Sequence, residues 1–218
     1  MFKDIDFSMF NEALLETVYM SLISTVFVFV FGLILGILLF TTDERGLTPN
    51  KWLYQGLSFV TNLFRSIPFL ILIVLLIPVT KVIIGTILGP SAALPALIIG
   101  ATPFYARLVE LSLNEKGEYL VETGKSFGAS NFQIITKILL NESLQSIIRG
   151  ITVTAILITG YTSIAGAIGA GGLGNLAYLY GYARNRIDIT ILATIEIVLI
   201  ILVIQFIGDR IVKKINKT

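Results

Sequence analysis

Thr17 to Thr41 contains no charged residue, and its only glycines are Gly32 and Gly36. A helix crosses a bilayer core with about 20 mostly apolar residues at 1.5 Å rise each, so this stretch is long enough to span. Four further stretches qualify: about 57–79, with Arg65 near its start and Pro68 and Pro78 inside; about 91–107, with Pro95 and Pro103; about 144–168; and about 187–207. Proline is tolerated in such helices because neighbours re-satisfy the freed carbonyls. Composition agrees, with 55% apolar residues, 14% charged residues and a mean hydropathy of +0.88. Soluble domains carry about 25% charged residues, too many for this chain to match. The expectation is an all-α integral membrane protein of five spans, one domain over residues 1–218.

The chain has no Cys and no His. Thiolate nucleophiles, disulfides, His-based triads and nearly every zinc or haem site are thereby excluded. A net charge of +2 is too small to argue for nucleic acid. Its distribution is more informative. With the C-terminus inside, twelve of the 16 basic residues fall on the cytoplasmic side, leaving Lys3, Lys81, Arg184 and Arg186 outside. The positive-inside bias therefore predicts N-terminus outside and C-terminus inside. Residues 1–16 carry Asp4, Asp6, Glu12 and Glu16 against Lys3. An acidic start does not fit a signal peptide and reads as a retained extracytoplasmic segment.

Between spans three and four lies the longest polar stretch, about 110–142. Ile134, Ile135, Ile138 and Leu139 recur at helical spacing opposite Gln133, Thr136, Lys137 and Asn141. Ser130 with Gln133 fits a capping box, and Gly128 suits the left-handed turn that ends a preceding helix. Helix, glycine turn, helix predicts a cytoplasmic knob; a surface helix lying in the lipid interface is the competing reading. Balanced charge, five acids against five bases from Arg107 to Arg149, argues mildly for the knob.

Glu122-Thr-Gly-Lys-Ser-Phe-Gly128-Ala129-Ser130, followed by Ile138-Leu-Leu140, resembles the EAA signature of permease subunits in bacterial ATP-binding-cassette (ABC) importers. Glu122, Gly128, Ile138 and Leu140 fall in register; Thr123 and Gly124 replace two alanines, and Asn141 a proline. Arg65-Ser-Ile-Pro-Phe69, Ala106-Arg-Leu-Val-Glu110, Gly166 to Gly174 and Gln205 to Arg210 are similar to methionine-import permeases. The resemblance implies the type I ABC importer permease fold, with Glu122, Gly128, Ala129, Ser130, Gln133, Ile138 and Leu140 coupling to a cytoplasmic ATPase. It implies a multi-pass protein of the bacterial cell membrane, a second copy of the chain as partner, and an extracytoplasmic substrate-binding protein. ATP and Mg would be bound by the ATPase, and no cofactor by this chain.

Other signals point to less. Gly124-Lys125-Ser126 imitates the end of a phosphate loop but lacks the upstream glycine and the flanking strand. The glycines of 166–174 read as close helix packing, with a gate or dimer contact as the functional version. Tyr161, Thr162, Ser163 and Ile164 are candidates for lining a pathway, interhelical hydrogen bonding being the alternative. Glu196 lies near the middle of span five, where an ionisable side chain is costly. A structural hydrogen bond, to Thr154 or Thr159 for example, is the favoured account, ahead of a protonated acid or a water-filled path.

Three function classes follow. An importer permease carrying methionine or a related small amino acid is preferred; another amino acid or a short peptide stays open. A secondary transporter would show inverted repeats and several embedded charges. An intramembrane enzyme would need an Asp pair or Ser–Lys arrangement that the spans lack. Five helices hardly surround a path for an amino acid while staying packed, which favours a dimer.

Overall fold

A computed structural model describes residues 7–215; the acids Asp4 and Asp6, Lys3 and Lys217 lie outside the described residues. The chain forms α1 (Phe7–Thr42), α2 (Lys51–Ser66), α3 (Phe69–Leu75), α4 (Ile77–Ile84) and α5 (Pro90–Ser126). After a turn come α6 (Asn131–Gln133), a π-helical stretch (Ile134–Leu139) and α7 (Leu140–Ala165), which run on as one rod. A hairpin holding a second π stretch (Gly166–Ala170), α8 (Gly172–Asn175) and a third (Leu176–Tyr182) leads into α9 (Ile187–Ile215). Four rods are long and apolar enough to cross a membrane, and the α2–α3 pair makes a fifth crossing if counted as one span.

That fifth span corrects the expectation of a continuous helix over 57–79. Helices α2 and α3 meet at 105°. Ile67 precedes Pro68, and proline forces its predecessor out of the helical region; Ile67 sits at φ −81°, ψ 122°. Helix α2 also begins earlier than expected, capped by the Asn50 side chain on the Leu53 N–H at 3.1 Å. Arg65 is therefore not at the start of a span. It stands 14 residues beyond Lys51, about 21 Å along the helix.

The helix of span three is longer than the span itself. Helix α5 does not end near residue 107 but continues to Ser126, 37 residues in all, or about 55 Å. A bilayer core is about 30 Å thick, so about 25 Å of α5, close to half its length, is more than the core needs. The knob is thus made from the extended ends of two spanning rods, not from two separate short helices. Helices α1 and α5 form the centre of the bundle. Gly32 and Gly36 let α5 approach: a Cβ on Gly32 would lie 2.6 Å from the Tyr105 ring, and one on Gly36 2.6 Å from the Ala106 carbonyl. Small residues one turn apart are how membrane helices reach close contact without a hydrophobic driving force between them. Tyr105 is fully buried there, with Met20, Val28, Leu97 and Val109.

Candidate functional site

The turn at the knob is built from backbone hydrogen bonds. Ala129 N–H reaches the Gly124 carbonyl at 3.0 Å, and Gly128 N–H reaches Lys125 at 2.9 Å, which together close the end of α5. Gly128 takes φ +73°, the left-handed region that favours glycine. Ser130 then starts α6 with the expected capping box: Ser130 Oγ accepts from Gln133 N–H at 3.3 Å, and Gln133 Oε1 accepts from Ser130 N–H at 2.9 Å. The apolar face of the following π stretch turns inward. Ile134 and Leu139 are buried, and a Cβ on Gly124 would meet Ile134 at 2.9 Å and Ile138 at 3.2 Å. This face packs on α5. Leu140 packs against the same core, while Glu122, Ser130 and Gln133 are exposed and Ala129 is half-buried. Lys125 and Ser126 close the C-terminal end of α5, where free carbonyls rather than N–H groups are presented, the wrong polarity for phosphate.

The tip carries two side chains that the sequence reading did not single out. Phe127 is 86% exposed and Phe132 74% exposed, one on each side of the turn. Their signal was available: two aromatic residues flanking a glycine turn in a polar stretch.

The α2–α3 break opens a cavity of about 380 Å³ lined by Asn62, Arg65, Ser66, Phe69, Phe104 and Tyr161 among others. The Tyr161 ring stacks on Phe69, 4.2 Å between centroids and 2° from parallel. The four neighbouring candidates on α7 point in different directions. Ile164 is exposed; Thr162 is buried and donates to the Thr159 carbonyl at 2.7 Å; Ser163 lies against Gly174, whose Cβ would fall 2.4 Å from the Ser163 Cα. On α2, Tyr54, Ser58 and Asn62 share one face and meet α5. Tyr54 donates to Glu110 at 3.1 Å, and Arg107 pairs with Glu110 at 2.6 Å, reaching also Ser58 and Asn62.

The glycine run is a packing device. Gly166 lies so close to Asn175 and Gly171 that a Cβ would come within 2.6 Å of their backbone atoms. Glu196 lines an aliphatic groove between α1, α7 and α9, and its Oε2 meets no hydrogen-bond partner among the described residues. The expected bond to Thr154 or Thr159 does not form; both hydroxyls donate to carbonyls of their own helix, Gly150 and Ala155, and neither lines the groove that Glu196 lines. No cluster of three acids that could hold a metal occurs among the described residues.

Broken and unbroken spans around a central helix pair, ending in a helix-turn-helix knob, define a transport permease of the type I importer fold. The chain belongs to the binding-protein-dependent transport system inner membrane component family, which it matches over residues 29–218. It is 54% identical over 216 residues to the methionine import system permease protein MetP of Bacillus subtilis, covering 99% of this chain and 97% of the relative. A probable D-methionine transport system permease protein MetI of Pasteurella multocida is 45% identical, with 92% of each chain covered. Among solved structures, an inward-facing MetNI methionine ABC transporter chain superposes with a TM-score of 0.89 at 42% identity, over 92% of this chain and 93% of that one. An amino acid ABC transporter chain with 18% identity and a TM-score of 0.72 shares the fold.

Proposed function

We propose that this chain is the pathway-forming subunit of an ATP-driven methionine importer. It works as one of two identical copies in the bacterial cell membrane, N-terminus outside and C-terminus inside. The observation that carries the ligand is the 54% identity to a methionine import permease over almost the whole of both chains. The knob from Glu122 to Leu140 docks in a cytoplasmic ATPase, with Phe127 and Phe132 as its anchors. Exposed aromatic residues on a rigid turn are the side chains that carry binding energy at such contacts. Because α5 and α7 run unbroken from the knob into the bundle, a displacement of the ATPase moves the walls of the cavity. Of the pathway candidates, Tyr161 faces the cavity and is the residue assigned to line it. ATP and Mg are held by the ATPase, and an extracytoplasmic binding protein delivers the ligand.

The test is uptake of labelled methionine by proteoliposomes holding the chain, its ATPase and its binding protein. The names of the relatives divide between methionine and D-methionine, so both enantiomers are assayed. ATP-dependent accumulation of either, competed by no other amino acid at equal concentration, is the expected result. Accumulation of a different amino acid and neither enantiomer would overturn the ligand while leaving the class.

A further inference from the structure

Among the described residues, Arg65 is the only charged side chain lining the α2–α3 cavity. It is exposed, and no carboxylate among the described residues pairs with it; the ion pairs formed by arginines are Arg45–Glu118, Arg107–Glu110 and Arg186–Asp188. It stands in the last turn of α2, inside the α2–α3 pair that counts as one candidate span. A cation there is expensive unless it faces water or an anion. Arg107, nearer the knob, has its anion in Glu110. Arg65 has none among the described residues.

What surrounds it is the complement of an amino acid. Asn62 lies one turn earlier on α2 and Ser66 next to it, so the polar groups collect at one end of the cavity. Ser66 Oγ is already committed to the Asn62 carbonyl at 2.8 Å. At the other end the stacked Phe69 and Tyr161 rings, with Phe104, make an apolar wall. A thioether packs favourably against aromatic rings, and a guanidinium holds a carboxylate through two parallel N–H···O bonds. The volume of about 380 Å³ lies at the small-ligand end of binding pockets.

We infer that the α2–α3 break holds a transient ligand site in which Arg65 binds the α-carboxylate of the transported amino acid and the Phe69–Tyr161 wall takes its unbranched apolar side chain. This site rests on the amino-acid importer reading and adds a recognition residue to it. It makes the permease itself selective for an anion next to an apolar tail, beyond whatever selection the delivering protein exerts.

The experiment uses the complete transporter in proteoliposomes and compares labelled methionine with methioninamide, which lacks the carboxylate charge. Selection by the binding protein is common to parent and variant and cancels in the ratio of their preferences. The parent should favour methionine; Arg65→Gln should lower that preference about tenfold, mainly through slower methionine uptake, while Arg65→Lys keeps most of it. An unchanged preference in Arg65→Gln overturns the site. Should Arg65→Gln fail to assemble with the ATPase, Ser66→Cys in this Cys-free chain supplies the second reading with Arg65 intact. Methionine should slow its maleimide labelling at least threefold and methioninamide should not; equal rates with both ligands overturn the site. A parent transporter that moves no methionine would instead refute the importer reading, and the two failures are distinct.

Discussion

Glu16 Oε2 accepts a 2.6 Å hydrogen bond from the backbone N–H of Gly172, joining the first third of α1 to the start of α8 across 156 residues of sequence. One position on, Thr17 Oγ1 accepts from the Leu173 N–H at 2.8 Å. The free N–H groups that begin any helix are thus capped here from another element rather than by the residue before. Gly171 has to be glycine for the same reason, since a Cβ there would lie 2.4 Å from Glu16 Oε2.

Glu16→Ala leaves the Gly172 N–H without its acceptor, a loss of about 1–3 kcal/mol for a group screened from water. The detergent-solubilised protein should melt several degrees lower. Glu16→Gln keeps a carbonyl oxygen in place and should recover about half of the loss. Thermal unfolding of the three proteins side by side checks this; equal midpoints for Ala and parent would mean that the bond contributes nothing.

Phe127→Ala and Phe132→Ala remove exposed aromatic surface without opening a cavity, so the permease should keep its melting temperature. Association with the ATPase should weaken by about 2 kcal/mol for the stronger anchor, roughly 30-fold. Co-purification across a dilution series reads the effect. A variant of both residues that binds like the parent would remove the tip from the interface.

The knob was legible in the sequence because its signals are local. Ser130, Gln133 and Gly128 each state a backbone requirement within a few residues. What lay hidden was tertiary. Pro68 breaks a span while Pro95 and Pro103 stay inside α5, and nothing local to those prolines distinguishes them. Packing against α1 along much of its length holds α5 as a rod, whereas the α2–α3 junction packs on α5 and α7 through side chains such as Phe69 and leaves a cavity beside it. The start of α2 was concealed by its own polar face: Tyr54, Ser58 and Asn62 lower its hydropathy, and in the fold they meet Glu110 and Arg107. The length of α5 was concealed because polar helical residues past a membrane boundary read as a connecting segment. Glu196 was legible as an anomaly, but not the lack of a partner for its Oε2, which depends on which side chains the packing of α1, α7 and α9 brings beside it.

Gly174→Val should be far more damaging than Gly160→Val. A Cβ on Gly174 would fall 2.4 Å from the Ser163 Cα and carbonyl, both backbone, whereas Gly160 has open space around it. Overpacking of this kind costs about 1–3 kcal/mol or more when the obstacle is main chain. The yield of monodisperse protein after purification should fall severalfold for Gly174→Val and stay near parental for Gly160→Val. Similar yields for both would contradict the tight hairpin.

Orientation is tested by single cysteines at Ile87, between α4 and α5, and at Lys125 in the knob, both exposed. In intact cells an impermeant maleimide should label Ile87→Cys and spare Lys125→Cys until the membrane is permeabilised. The reverse pattern would invert the assigned topology.

Gly128→Val separates backbone strain from docking when it is matched with Gly85→Val. Both glycines have left-handed φ, +73° and +84°, and neither has an atom within 4 Å of a Cβ position. Each valine therefore costs about 1–2 kcal/mol of local strain and nothing in steric conflict within the chain. Gly89, at φ +89° and ψ 170°, is a poorer match because its conformation is open to glycine alone and its N–H is bonded to the Gly169 carbonyl. Equal strain should give the two valine variants similar melting temperatures and normal insertion. Their assembly should differ, since Gly85 ends α4 at the opposite end of the bundle from the knob. Gly128→Val puts two methyl groups on the surface that enters the ATPase and re-aims Phe127 relative to Phe132, so ATPase association should fall at least tenfold, or hydrolysis should continue without uptake. Gly85→Val should assemble and couple as the parent does. If both variants couple normally, the knob does not transmit the motion. If both lose coupling together, strain anywhere in the permease is enough, and docking is not what Gly128 serves.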